Sequence, residues 1–491
     1  MTVYFKIFFQ KFISNQKHYP ILTAVASGLY PLLFYITNNY TIANSIGHLK
    51  YFLFNFIILP VILFTAIYYI FKFQGLRRYK KYPLPFLNIF FFIFYMTICY
   101  YAGIHKKWLL LGIFLAILFS IFLNKYLNKV VVIQFILAII SLLSFAQNNY
   151  AISNKWKNLP DDILNINFKK KPNIYFIQPD GYVNFSELKG ENYNTDFTDF
   201  ENYLADNGFT YYYDFRSNYY STLSSNSATF NMKHHYYNDK PQLSEVLNAR
   251  NNIVSENAVL SIFKQNGYST HFISELPYLL LNKTKLGFDT SNFIEDEISY
   301  ISKGLGKPVD ILNPLKKEFF NKSDLSKFFF IEFFNPGHIT ANKRYSKGKE
   351  LEKKEWLESL KIANFKLKNL IDFIIEMDAS ALIIIMADHG GFVGLNSTSQ
   401  SFEKLDNRDL IYSIFSTKLA IKWPKGTNYK YINELKSNVN LFRIIFSYLS
   451  GNQKYLNSME KDESFMIIKK GAPKGIYKYI DNQGKITFEK R

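Results

Sequence analysis

Ala381-Leu382-Ile383-Ile384-Ile385-Met386-Ala387-Asp388-His389-Gly390-Gly391 is a run of seven apolar residues that stops abruptly at a carboxylate and an imidazole. A short continuous apolar run bounded by glycine predicts a strand buried on both faces, as in a parallel sheet covered by helices. In open α/β sheets ligands gather beyond the carboxyl ends of the strands. An adjacent Asp and His delivered there suit Zn2+ or Mn2+. Taken alone, the tripeptide reads more simply as a strand-end Asp capping its turn beside a surface histidine. Its weight comes from partners elsewhere in the chain.

The rest of the second half repeats the same grammar. Asn173–Gln178, Tyr268–Ser274, Lys327–Phe334 and Lys418–Trp423 read as strands. Between them Asp196–Gly208, Ser255–Asn266, the long amphipathic stretch Gly348–Met377 and Val439–Leu449 read as helices, two of them stopped by Gly208 and Gly267. Apolar strands alternating with helices predict an α/β domain with a mostly parallel sheet.

Three further segments could meet Asp388 and His389 at the strand ends. Pro172-Asn173-Ile174-Tyr175-Phe176-Ile177-Gln178-Pro179 runs into Asp180-Gly181. Thr222 opens a helical stretch reaching Met232, where free amides and the helix dipole favour an alkoxide and a neighbouring phosphate. The strand ending at Phe334 leads into Asn335-Pro336-Gly337-His338. Plainer readings stand beside these. Thr222 could be only an N-cap, with Ser221 and Ser224 as rivals. His338 is a loop histidine that could meet substrate. His234-His235 could add a ligand but reads better as a polar helix face. His271 reads as a satisfied core histidine, and Arg216 as a surface arginine rather than a phosphate contact.

The first 150 residues are of another kind. They hold 13 Lys or Arg and no Asp or Glu, so most of the net +19 of this 491-residue chain lies there. That placement, between apolar runs, reads as membrane topology and removes the nucleic-acid reading of a basic chain. Apolar segments run over Pro20–Ile36, Tyr51–Phe71, Leu84–Ile104, Trp108–Leu123 and Val130–Ala146. A spanning helix takes about 17–25 such residues, so about five helices are expected, the fourth being the shortest. Lys6, Lys11 and Lys17, then Lys72 to Lys81, then Lys125 and Lys129 mark one side; Lys50, Lys106 and Lys107 mark the other. Positive-inside counting puts the N-terminus in the cytoplasm and, after five crossings, residue 151 onward outside. The first segment has no small-residue cleavage site, so the chain is expected to stay anchored. The expected division is 1–150 as anchor, 151–171 as a polar linker and 172–491 as an extracytoplasmic domain. The single cysteine, Cys99, lies in an apolar segment, so no disulfide forms within the chain and the outer domain has no thiol nucleophile. The apolar segments contain no acidic residue that would serve a transporter as an ion site.

With these elements in order, the sequence resembles the alkaline phosphatase/sulfatase superfamily, in its membrane-anchored branch of lipoteichoic acid synthases, phosphoglycerol transferases and phosphoethanolamine transferases. The likeness covers the helical anchor, the Pro-Asn-led strand into Asp180, Thr222 at a helix start, the strand into Asp388-His389-Gly390 and the tail Ser437–Ser450. It implies one divalent metal, Mn2+ or Zn2+, held by Asp180, Asp388, His389 and the Thr222 oxygen, with no clear set for a second metal. It implies Thr222 as nucleophile and His338 as a substrate-side histidine. Transferase relatives tend to carry Glu where this chain has Asp180, while Asp is usual in the wider superfamily. Sulfate esters are excluded, because Thr222 cannot become formylglycine. The resulting expectation is a plasma-membrane enzyme that moves a phospho-alcohol head group from a phospholipid donor to an envelope glycan or lipid acceptor. The alternatives are a phosphodiesterase or phosphatase using water, and a non-catalytic envelope scaffold.

Overall fold

A computed structural model of the chain describes residues 10, 12–15, 17–149, 154–239, 246–301, 304–321, 325–427 and 434–491. Lys6 and Lys11 of the charge pattern lie outside them. The chain divides into two compact units. One is N-terminal, joined by the short segments Leu281–Lys283 and Ile298–Gly306, and the other comprises the rest.

In the first unit the five expected segments form helices, at Pro20–Asn38, Ile46–Ile70, Pro83–Tyr101, Lys106–Phe122 and Leu127–Asn149. Four are long and apolar enough to cross a membrane; Lys106–Phe122, with 17 residues, is the short one. Few polar groups lie inside, and two of the buried amides pair with each other. Asn88 and Gln134 exchange amide hydrogen bonds of 2.9 and 3.1 Å, and Asn88 also donates to the Thr23 carbonyl. Such bonds fix helices that have no hydrophobic drive to associate in lipid. Close approach is set by Gly28, where a Cβ would stand 1.7 Å from the Phe56 carbonyl oxygen.

The second unit is built on a seven-stranded sheet. In chain order its strands are β1 Ile174–Pro179, β2 Thr210–Tyr211, β3 Ser269–Ser274, β4 Thr290–Ser291, β5 Lys327–Phe333, β6 Leu382–Met386 and β7 Leu419–Lys422. Their spatial order is β2-β7-β6-β1-β5-β3-β4, and β6, β1, β5, β3 and β4 are mutually parallel, with β7 antiparallel at one side. Every residue of β1, β5 and β6 is buried, which is why these strands read as continuous apolar runs. Register pairs stack ring on ring: Tyr175 on Phe329 at 4.9 Å, Phe176 on Phe330 at 5.2 Å. On one face Phe176 and Phe330 both meet Phe230 of the helix Thr222–Asn231. Over the other face the helix Lys349–Met377 buries Trp356, Leu360, Ala363, Leu367 and Ile371, a spacing of three and four residues.

Two features depart from the sequence reading. After the helix Leu441–Ser450 the chain forms an antiparallel sheet of β8 Ser464–Ile468, β9 Gly475–Ile480 and β10 Ile486–Lys490, which was not expected. Within the stretch read as linker, Ile163, Ile166 and Phe168 are buried, and Asn266 holds both the Ile166 carbonyl and the Phe168 amide.

Lys418 is an unpaired lysine in this core. It is buried among the rings of Tyr182, Phe185, Phe200 and Tyr211, and its Nζ makes no hydrogen bond among the described residues. Burial pulls its pKa well below the usual lysine value, and Glu201 opposes this only in part. Between that lowered pKa and about 10.4 the unfolded chain binds a proton that the folded chain does not. Stability therefore rises with pH across that window. Lys418→Met should raise Tm at neutral pH by a few degrees and flatten the rise, as read by calorimetry across pH.

Candidate active site

Strand register assembles the site. Ile177 of β1 faces Ile385 of β6 in a parallel pair, so three residues further on Asp180 and Asp388 leave the same sheet edge side by side. The amide of Gly181 donates to Asp388 Oδ1 at 3.2 Å. Gly181 has φ +64°, and a Cβ there would lie 2.0 Å from the Gly337 carbonyl oxygen, so only glycine lets the loops after β1 and β5 touch. The Asp180 carbonyl accepts from the Gly337 amide at 2.8 Å, and this contact carries His338 toward the site.

Thr222 is not the helix cap. Ser221 holds that position, with its hydroxyl accepting from the Ser224 amide. Thr222, the first helical residue, is thereby free to point at the sheet edge. Its Oγ1 lies 3.4 Å from Asp180 Oδ1 and 3.4 Å from His389 Nε2. His389 Nε2 is also 3.4 Å from Asp180 Oδ1 and 3.4 Å from Asp388 Oδ2. His389 Nδ1 bonds the Gly390 carbonyl at 2.9 Å. A carbonyl only accepts, so Nδ1 carries the proton and Nε2 presents its lone pair inward.

These residues fit a divalent cation. Among the described residues Asp180, Asp388 and His389 are the one group of three or more His, Cys, Asp or Glu that could hold a metal, and all three are buried. A tetrahedral ion with bonds of about 2.0–2.1 Å separates its ligand atoms by about 3.3–3.4 Å, the spacing found here. Asp388 Oδ2 is buried and accepts no hydrogen bond among the described residues. Burial, and then Asp388, push the Asp180 carboxyl well above the usual range. Two buried carboxylates side by side are costly without a cation between them.

His338 stands at the mouth, partly open to solvent, with its ring 5.9 Å from that of His389. Desolvation by the surrounding protein, then His389, holds it below the usual histidine pKa. Its loop is braced by Lys366, which bonds Asn335 at 2.6 Å and pairs with Glu275, while Glu275 accepts from the Phe334 amide.

The remaining candidates fall elsewhere. His234 and His235 are neither ligands nor an exposed polar face. Both are buried, with His234 bonded to Tyr219 and the Lys461 carbonyl, and His235 to the Ser224 carbonyl and the Tyr237 amide. Arg216 is not a surface residue. It is buried and donates to the carbonyls of Asp462, Asp481 and Asn482. His271 is a satisfied core histidine, bonded to Thr290 and Ser269.

The sequence reading missed the residues behind the site. Asn438 donates to Ser225 Oγ and lies 3.3 Å from the carbonyls of Ala387 and Asp388, tying the Thr222 helix to the Asp-His turn. Gln178 and Glu332 face each other in register, both fully buried. Burial, then Asp388 and Asp180, hold the Glu332 carboxyl well above the usual range. Gln178 and Glu332 carry a sequence signal, each being a polar residue near the carboxyl end of a mostly apolar strand.

No family model and no curated protein matches the chain. Among solved structures it is similar to the integral membrane lipooligosaccharide phosphoethanolamine transferase A of Neisseria meningitidis, with 14% identity, 89% of this chain and 95% of that one covered, and a TM-score of 0.41. It is also similar to the zinc complex of the periplasmic domain of EptC from Escherichia coli, with 12% identity, 60% and 85% covered, and a TM-score of 0.39. A third similarity is to the lipoteichoic acid synthase LtaP of Listeria monocytogenes, with 13% identity, 66% and 91% covered, and a TM-score of 0.39.

Proposed function

We propose that the chain is a membrane-anchored, metal-dependent transferase that moves a phospho-alcohol head group from a phospholipid to an envelope glycan or lipid through a phospho-threonine at Thr222. The observation that carries this reading is the Thr222 hydroxyl, relieved of capping by Ser221 and 3.4 Å from both Asp180 and His389. A Zn2+ or Mn2+ held by Asp180, Asp388, His389 and Thr222 supplies a lowered hydroxyl pKa and neutralises charge on the phosphoryl oxygens.

Thr222 Oγ1, its proton given up beforehand to solvent water, attacks phosphorus, and the bond from phosphorus to the diacylglycerol oxygen breaks. His338, on the open side of the site, gives that oxygen a proton. An acceptor hydroxyl then gives its proton to His338, attacks the same phosphorus and releases Thr222. The amides opening the Thr222 helix hold the phosphoryl oxygens through both steps. His338→Ala should lower kcat by about 100- to 10,000-fold while leaving metal content unchanged, as measured by turnover beside elemental analysis.

The reaction class is tested with the purified protein in vesicles holding head-group-labelled phosphatidylglycerol or phosphatidylethanolamine and Mn2+ or Zn2+. Release of diacylglycerol with label moved to an acceptor supports transfer, and free labelled head group instead indicates water as acceptor. Both lipids left intact by metal-loaded protein would contradict the proposal.

Access to a lipid donor on the outer leaflet requires five crossings, so the helix Lys106–Phe122 decides the side on which the α/β unit lies. At 1.5 Å per residue its 17 residues span about 25 Å, enough when Lys106 and Lys107 reach back to the interface. In a Cys99→Ala background, Lys155→Cys should be labelled by an impermeant maleimide on intact cells and Gly75→Cys should be protected. The reverse pattern would place the site inside.

A further inference from the structure

We propose that one end of the helical unit carries a binding site for an anionic phospholipid, separate from the metal centre and independent of the reaction proposed for it. Lys17, His18, Lys72, Arg77, Lys80 and Lys81 line a cavity of about 550 Å3 together with Tyr68. They arrive from three places: the chain before Pro20–Asn38, the end of Ile46–Ile70 and the loop before Pro83–Tyr101. Positive-inside topology accounts for cations on these loops. It does not require them to converge on one hollow.

Nothing in the unit balances that charge. The segments that compose it contain no Asp or Glu, and the described ion pairs of the protein all lie in the other unit. Tyrosine faces are what the lysines find instead, as with Lys72 over Tyr68 and Tyr69 at 4.6 and 4.7 Å. Five cations around one cavity repel each other, and an anion seated among them relieves this. The volume lies within the usual range for small-molecule sites, about 300–1,000 Å3.

A second hollow identifies the anion as a lipid. The same helix ends border an almost wholly apolar groove of about 470 Å3, lined by Ile67, Phe71, Phe86, Leu87, Ile117 and Ile121 among others. Its residues alternate in sequence with those of the basic cavity: Ile67 and Phe71 beside Tyr68 and Lys72, Tyr79 and Tyr82 beside Lys80 and Lys81. A phosphate-bearing head group in the first with acyl chain in the second fills both, the pattern expected of basic pockets between membrane helices. Free phosphate would fill only the first.

The test is native mass spectrometry of the full-length protein in mild detergent, titrated with phosphatidylglycerol, phosphatidylcholine or inorganic phosphate. The expected result is one phosphatidylglycerol bound per chain, favoured over phosphatidylcholine by tenfold or more. Arg77→Gln/Lys80→Gln/Lys81→Gln should abolish that preference with Tm held within a few degrees, and Lys106→Gln/Lys107→Gln at the opposite end should keep it. Ile117→Trp/Ile121→Trp, which fills the groove, should weaken phosphatidylglycerol at least severalfold. Equal binding of the two lipids, a preference that survives the triple variant, or binding of inorganic phosphate without phosphatidylglycerol would overturn the proposal.

Discussion

Thr222→Ala is expected to lower phospholipid turnover by at least about 10,000-fold, the scale seen when a covalent nucleophile is removed. The loss should be chemical rather than structural. Ser221, not Thr222, caps the helix, so the substitution removes neither the cap nor the sheet packing of Phe230 on Phe176 and Phe330. Alanine is also a good helix residue. Tm should therefore stay within a few degrees. Three of the four proposed metal ligands, Asp180, Asp388 and His389, remain, so the metal should still bind, more weakly. Thr222→Ser keeps the hydroxyl and should keep measurable turnover. Loss of activity in both variants to the same extent would point to packing of the methyl group and away from nucleophilic chemistry.

Asp388→Asn is expected to lower metal affinity by more than the 10- to 100-fold typical of losing an outer-shell partner, and activity with it. Asp388 is fully buried; its Oδ1 accepts from Gly181 and its Oδ2 accepts no hydrogen bond among the described residues. Asparagine preserves the shape and the Gly181 contact but removes the charge. In the metal-free protein the change relieves repulsion with Asp180, so stability should hold or rise. The wild type should gain stability on adding Zn2+ or Mn2+, by about 2.7 kcal/mol at 100 times Kd, and the variant should gain little at the same concentration. Thermal shift against metal concentration reads both effects at once. Equal shifts in the two proteins would mean that the cation binds somewhere else.

What could be read from sequence, and what could not, follows from burial. β1, β5 and β6 announce themselves because both faces are covered and every position is apolar or nearly so. Their shared direction then brings Asp180, Asp388 and His389 to one edge. β9 and β10 were missed because they carry Lys478, Glu489 and Lys490 and the pattern is diluted, whereas β8 is buried throughout and apolar after Ser464, a run that the same rule could have read. β2 and β4 are two residues each, too short for any period. Burial of His234, His235 and Arg216 depends on partners distant in sequence, such as Lys461 and Asp462. No local pattern encodes that. The distinction between Ser221 as cap and Thr222 as a free hydroxyl needs the backbone, since either residue suits the end of a helix.

Intact-mass spectrometry of the full-length protein, wild type and Thr222→Ala, is the most direct test of a phospho-threonine at this site. Each is incubated with Mn2+ or Zn2+ and phosphatidylglycerol or phosphatidylethanolamine, then quenched in acid. The expected result is a head-group-sized increment on the wild type alone, mapped to the peptide carrying Thr222. An increment on both proteins, or none on a metal-loaded wild type that is turning over lipid, would contradict the covalent route.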